Sequence, residues 1–128
     1  MKVRWMPKSV RMRITPAELS ALIEGQVISQ RLGPGSWQIE ISKGEESRLT
    51  LKGALLRVDL AQHDVDDLAD PFREGIYLDS EHEPSIVYFL EKDFPCVHPR
   101  HPKTREVSTE TFEPPHGFSE RHRKGSCF

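Results

Sequence analysis

Ser9-Val10-Arg11-Met12-Arg13-Ile14-Thr15-Pro16-Ala17-Glu18 holds two periods in ten residues, and the change between them decides the fold. Val10, Met12 and Ile14 alternate with Arg11 and Arg13, the period of two that a half-buried strand requires. Thr15 then suits a helix N-cap, Pro16 the first helical position, and Glu18 completes a capping box. Leu19, Leu22 and Ile23 form one apolar stripe, and Gly25 is placed to end the helix. Such a helix has about two and a half turns at 3.6 residues each, so it persists only when packed on a sheet.

Upstream, Val3 and Trp5 alternate with Lys2 and Arg4. Met6-Pro7-Lys8-Ser9 interrupts the pattern, because Pro7 lacks the amide hydrogen a strand needs, and a β-hairpin results. Downstream, residues 27–32 read as a strand closed by Gly33-Pro34-Gly35. Trp37, Ile39 and Ile41 alternate with polar residues, and so do Leu49 and Leu51 after the Lys43-Gly44-Glu45-Glu46 turn. Leu56, Val58 and Leu60 do the same. Strands with one apolar and one polar face favour antiparallel pairing. Residues 64–69 make a helical turn stopped by Asp70-Pro71, residues 76–78 a short strand and 81–84 a polar loop. The apolar run at 86–90 suits a more central strand, leading into Glu91-Lys92-Asp93-Phe94.

The expected fold is α+β: a mainly antiparallel sheet with one short capped helix after the first hairpin, the sheet either open or partly closed into a barrel. No internal repeat is visible. Beyond Pro95 the character changes. Five of the ten prolines and four of the six histidines fall in the last 34 residues, and no period runs through them. A segment that buries so little does not offset its own ordering entropy. The expectation is a single domain over residues 1–94 and a Pro/His-rich tail over 95–128, mostly disordered or ordered only against the domain or a partner.

Composition narrows the function classes. The chain has 128 residues, 36% hydrophobic and 30% charged, with a net charge of −2, so no global field draws it to nucleic acid or membrane. No apolar run approaches the roughly 20 residues that span a bilayer, and the start lacks the apolar core of a signal peptide. Cys96 and Cys127 lie far apart, unlike a disulfide scaffold. A cytoplasmic protein with reduced thiols is expected.

Three constellations are candidates for chemistry. Alternation puts Lys2, Arg4, Arg11 and Arg13 on one face of the first hairpin, where guanidinium forks match phosphate or carboxylate oxygens. Glu40, Arg48, Lys52, Arg57 and Asp59 would extend that face with both signs. Like charges on paired strands repel unless a counter-ion sits between them, whereas a solvated face keeping the sheet soluble is the commoner role of such residues. Cys96, His98 and His101 are of the types that ligate zinc, although their spacing matches no finger or ribbon. Glu91-Lys92-Asp93 at a strand end would do acid–base work if burial shifted its pKa values. No Gly-rich phosphate loop, nucleophile elbow or His-Glu-x-x-His helix occurs, and no cofactor is expected.

Two segments carry a resemblance. The opening Met1-Lys2-Val3-Arg4, the later Ser9-Val10-Arg11-Met12-Arg13-Ile14-Thr15 and then Leu90-Glu91-Lys92-Asp93-Phe94-Pro95-Cys96 resemble small bacterial proteins classed as a domain of unknown function, over roughly residues 1–96. The likeness implies a bacterial cytosolic domain and brings no activity or site. A second likeness, to triphosphate tunnel enzymes, rests on Arg11-x-Arg13 and Thr50-x-Lys52-Gly53. In that family such side chains line a barrel and hold polyphosphate with a divalent metal. The opening acidic Glu-x-Glu-x-Lys is missing, and Lys2 and Arg4 stand in its place. The functional expectation is a non-catalytic binding or interaction module for an anionic ligand or a protein. The alternatives are an enzyme binding or hydrolysing a phosphate ligand on the charged face with a divalent metal, and a metal-binding tail. The net-negative chain lacks aromatics interleaved with its basic residues, which argues against nucleic acid.

Overall fold

The computed structural model describes residues 1–80, 85–95 and 111–115. Its elements are β1 (Lys2–Met6), β2 (Ser9–Ile14), α1 (Pro16–Ile23), β3 (Ile28–Arg31), β4 (Gln38–Lys43), β5 (Arg48–Lys52), β6 (Leu55–Leu60), α2 (Gln62–Ala69), β7 (Gly75–Leu78) and β8 (Val87–Lys92). The fold is α+β.

α1 begins where its capping box predicts. The Thr15 hydroxyl accepts the Glu18 N–H at 3.2 Å, and the Glu18 carboxylate accepts the Thr15 N–H at 3.0 Å. The same carboxylate holds the Met1 ammonium at 2.8 Å, which ties the first strand to the helix. Gly25 follows at φ +87°, the left-handed conformation that ends a helix at low cost for glycine. α2 is longer than the single turn expected at 64–69, and there is thus a second helix. It has no side-chain cap, and its support is tertiary: Val65 and Leu68 are buried.

The strands form two four-stranded sheets rather than one, in the orders β1-β2-β8-β7 and β3-β4-β6-β5. In each sheet the outer pairs are antiparallel and the central pair is parallel, β2 with β8 and β4 with β6. Neither sheet closes into a barrel. The inner faces of both sheets, with Leu19 and Leu22 of α1 and Val65 and Leu68 of α2, share one hydrophobic core. Arg11 and Arg13 alternate with the buried Val10, Met12 and Ile14 and therefore face away from it. Thr50 and Lys52 lie on β5 of the other sheet, so the two segments likened to a tunnel enzyme do not line a common interior.

Although no repeat is visible in the residues, the topology is duplicated. Strand, strand, helix, strand and strand measure 5, 6, 8, 4 and 6 residues from β1 to β4, and again 5, 6, 8, 4 and 6 from β5 to β8. Exchanging the halves turns one sheet order into the other. Registers agree as well: Ser9 pairs with Val87 as Leu55 pairs with Gln38. Asp93 N–H donates to the Ile14 carbonyl at 2.9 Å, as Gly44 N–H donates to that of Leu60 at 2.9 Å. Each sheet thus combines the first hairpin of one half with the second hairpin of the other.

Residues 111–115 return to the domain. Phe112 N–H donates to the Asp93 carbonyl at 3.0 Å, and its ring meets that of Phe94 at 6.3 Å. This stretch of the expected tail lies against the domain. The polar loop expected at 81–84 falls outside the described residues.

Candidate functional site

All four cations of the first hairpin stand on the outer face of the first sheet, in two rows set by register. One row runs Lys2, Arg13, Glu91, Gly75, and the next runs Arg4, Arg11, Phe89, Tyr77. Counter-ions do sit beside these like charges, because β8 pairs in parallel with β2 and brings Glu91, with Asp93 just after it, to the same face. Glu91 accepts Arg13 Nε at 2.7 Å and Arg11 Nη2 at 3.2 Å. Asp93, only 1% exposed, stands 2.9 Å from Lys2 Nζ. Arg11 also lies 5.6 Å from the centroid of the Phe89 ring, which tilts against Tyr77 at 4.5 Å. Arg4, opposite Arg11, has no ion pair among the described residues. Aromatic side chains do flank the basic row, from a strand far away in sequence.

Glu40, Arg48, Lys52, Arg57 and Asp59 do not extend this face; they belong to β4, β5 and β6 of the second sheet. There Arg57 and Asp59 approach within 3.4 Å, and Ser42 Oγ donates to Asp59 Oδ1 at 3.0 Å.

Glu91-Lys92-Asp93 is buried throughout rather than an exposed strand end. Glu91 and Asp93 point to the outer face and Lys92 to the inner one. Lys92 Nζ donates to the main-chain carbonyl of Asp70 at 2.6 Å and lies 5.5 Å from the Phe112 centroid. Burial pushes its pKa below the ordinary 10.5, against the charge of Asp70, which raises it. The triplet acts as a set of anchors joining β8 to β2, to β1 and to the end of α2.

Cys96, His98 and His101 lie outside the described residues. Among the described residues, no group of three or more His, Cys, Asp or Glu is placed to hold a metal ion.

A second site emerges from the duplication. Leu49 and Ser80 form a parallel backbone bridge that joins β5 to the end of β7, closing one seam between the sheets. Register makes Val3 the counterpart of Leu49 and Leu32 the counterpart of Ser80. Those two residues are not bridged; they line an open groove of about 560 Å³ between β1 and β3, with Met1, Trp5, Gln30, Arg31, Gly33 and Trp37. Trp5 and Trp37 meet edge to face at 5.6 Å and remain 46% and 40% exposed. Their counterparts in the closed half are the smaller Leu51 and Ile86. Alternation already put Val3 and Trp5 on one face; nothing in it indicated that β3 would lie alongside or that Trp37 would reach them.

The fold and these sites define a class: a two-sheet α+β domain made of two interlocked ββαββ halves with one seam closed and one open. The chain belongs to Family of unknown function (DUF7009), whose model matches residues 1–116. The match includes Phe112 and extends past the segment over which the opening and Leu90–Cys96 motifs suggested a likeness. No curated protein and no solved structure matches the chain. Among the described residues no helix is long and apolar enough to cross a membrane.

Proposed function

We propose that this protein is a non-catalytic interaction module that takes a segment of a partner protein at the open seam between β1 and β3. The cytosolic bacterial setting implied by the resemblance is part of the same proposal. The observation that carries it is the groove itself. A volume of about 560 Å³ is in the range of sites that enclose a bound group, and the walls are mainly apolar. Tryptophan is among the residues that most often anchor a partner, and both tryptophans of the chain stand here. By contrast, three of the four hairpin cations already face carboxylates, Glu91 of β8 and Asp93 just after it, which leaves less charge for an anionic substrate.

The experiment is a selection of random extended peptides on the full chain, with Trp37→Ser as the counter-target. Because both tryptophans lie in the groove, their emission reports directly on its occupancy. Enriched peptides should shift the emission to the blue and bind Trp37→Ser at least tenfold more weakly. Enrichment that ignores the substitution, or none at all, overturns the reading.

A second reading, an anionic ligand carrying a flat ring on the outer face of the first sheet, is favoured by one observation. Arg4 has no ion pair there among the described residues, and Arg11, Phe89 and Tyr77 continue its row.

A further inference from the structure

We infer that the segment taken at this seam is an extended strand that adds to the free edge of β1 and alternates apolar with acidic residues. The inference rests on the interaction-module reading and specifies the chemistry of the partner.

Three observations lead to it. First, both walls of the groove are edge strands. Among the described residues β1 pairs only with β2, and β3 only with β4. An edge strand offers a row of backbone donors and acceptors that another strand can satisfy. Second, the equivalent seam in the other half is closed by backbone pairing, through the Leu49–Ser80 bridge. The open seam is the same architecture with Trp5 and Trp37 standing in it, so strand pairing is the interaction its geometry lacks.

Third, the two faces of β1 differ in chemistry. Met1, Val3 and Trp5 face the groove, while Lys2 and Arg4 face the outer surface. A strand laid along β1 would place alternate side chains in the groove and the others beside those cations. Arg4 stands opposite Arg11, and among the described residues no carboxylate pairs with it. An acidic side chain on the incoming strand would supply one. The same charges argue against a second copy of this chain as the occupant. Antiparallel pairing of two β1 strands would set Lys2 and Arg4 against the same cations of the copy, which is unfavourable.

The test uses the full chain and three acetylated, amidated octapeptides: alternating valine and glutamate, alternating valine and lysine, and the first peptide N-methylated at every second residue. Calorimetry and tryptophan emission are recorded for each. The valine–glutamate peptide should bind and shift the emission to the blue, the valine–lysine peptide at least tenfold more weakly. N-methylation should remove binding, because it deletes backbone donors and leaves the side chains in place. Arg4→Glu should reverse the preference between the charged peptides. That substitution puts a carboxylate opposite Arg11, so the fold should tolerate it, and the N-methylated peptide tests the idea without any variant.

Equal binding of the N-methylated peptide overturns strand addition, and an unchanged preference in Arg4→Glu overturns the charge assignment. If the designed peptides fail while peptides from the random selection still shift the emission, this inference alone is wrong. If no peptide shifts it, the interaction-module reading falls with it.

Discussion

Glu91 stands opposite Arg13 across the parallel β2–β8 pair, and its two carboxylate oxygens take Arg13 Nε at 2.7 Å and Arg11 Nη2 at 3.2 Å. One acid, about 80 residues on in the chain, thus bridges two cations of the first hairpin. The substitution Glu91→Gln should remove the carboxylate that both guanidinium groups share, on a face where Arg4 adds a third cation. Arg11 is 37% exposed, so solvent screens part of the effect, and we expect a loss of about 1–2 kcal/mol. Urea unfolding in low and high salt checks it: the loss should shrink with added salt.

Gly75 packs against the same residue from the other side. A Cβ there would lie 2.5 Å from the Leu90 carbonyl oxygen and 2.8 Å from Glu91 Cα. Backbone cannot give way as a flexible side chain does, so Gly75→Ala should cost roughly 1–3 kcal/mol by overpacking. The weakened variant should also exchange the amides of β7 faster, since it is an edge strand. Unchanged thermal unfolding would count against the close approach.

Lys2 and Asp93 are coupled. Asp93 is nearly fully buried 2.9 Å from the ammonium, so Asp93→Ala should destabilise by about 3 kcal/mol, much of it from leaving the lysine charge without this carboxylate. Combining Lys2→Met with Asp93→Asn should cost clearly less than the two single changes added together. A double-mutant cycle measures the difference, and strict additivity would mean that the pair does not interact energetically.

Lys92 predicts a pH dependence. Its folded pKa lies below the unfolded value of 10.5, so between the two the unfolded chain binds more protons. Stability from this group therefore rises with pH across that window; the cost of burying the ammonium is full at lower pH and relieved as pH approaches 10.5. The comparison is with Lys92→Met, which removes the titration while other groups cancel. The difference in unfolding free energy should move in favour of the parent as pH rises towards 10.5. A difference independent of pH would mean that burial has not shifted the group.

Much of the local structure was legible. The Thr15–Glu18 box marks the start of α1, and alternation or a short apolar run marks the strands, because each signal depends on residues a few positions apart. α2 was legible only in part, since Ala61 offers no cap and burial of Val65 and Leu68 sustains it. The candidate site was half legible. Lys2, Arg4, Arg11 and Arg13 do share a face, but the acid that answers Arg11 and Arg13 comes from β8, about 80 residues on, and the one beside Lys2 just after it. A period of two says which face a residue takes and nothing about which strand lies alongside.

The sequence by itself determined α1, the strands and, where residues alternate, the side of a strand that meets the core. Only the tertiary structure decided that β2 pairs with β8 and β4 with β6, that two halves without visible repeat share one plan, and that one seam is closed and the other open. The physical reason is range. Capping and alternation are properties of a short stretch of chain, whereas pairing is settled by which distant strands bury the most apolar surface together, and that is decided by the whole chain at once.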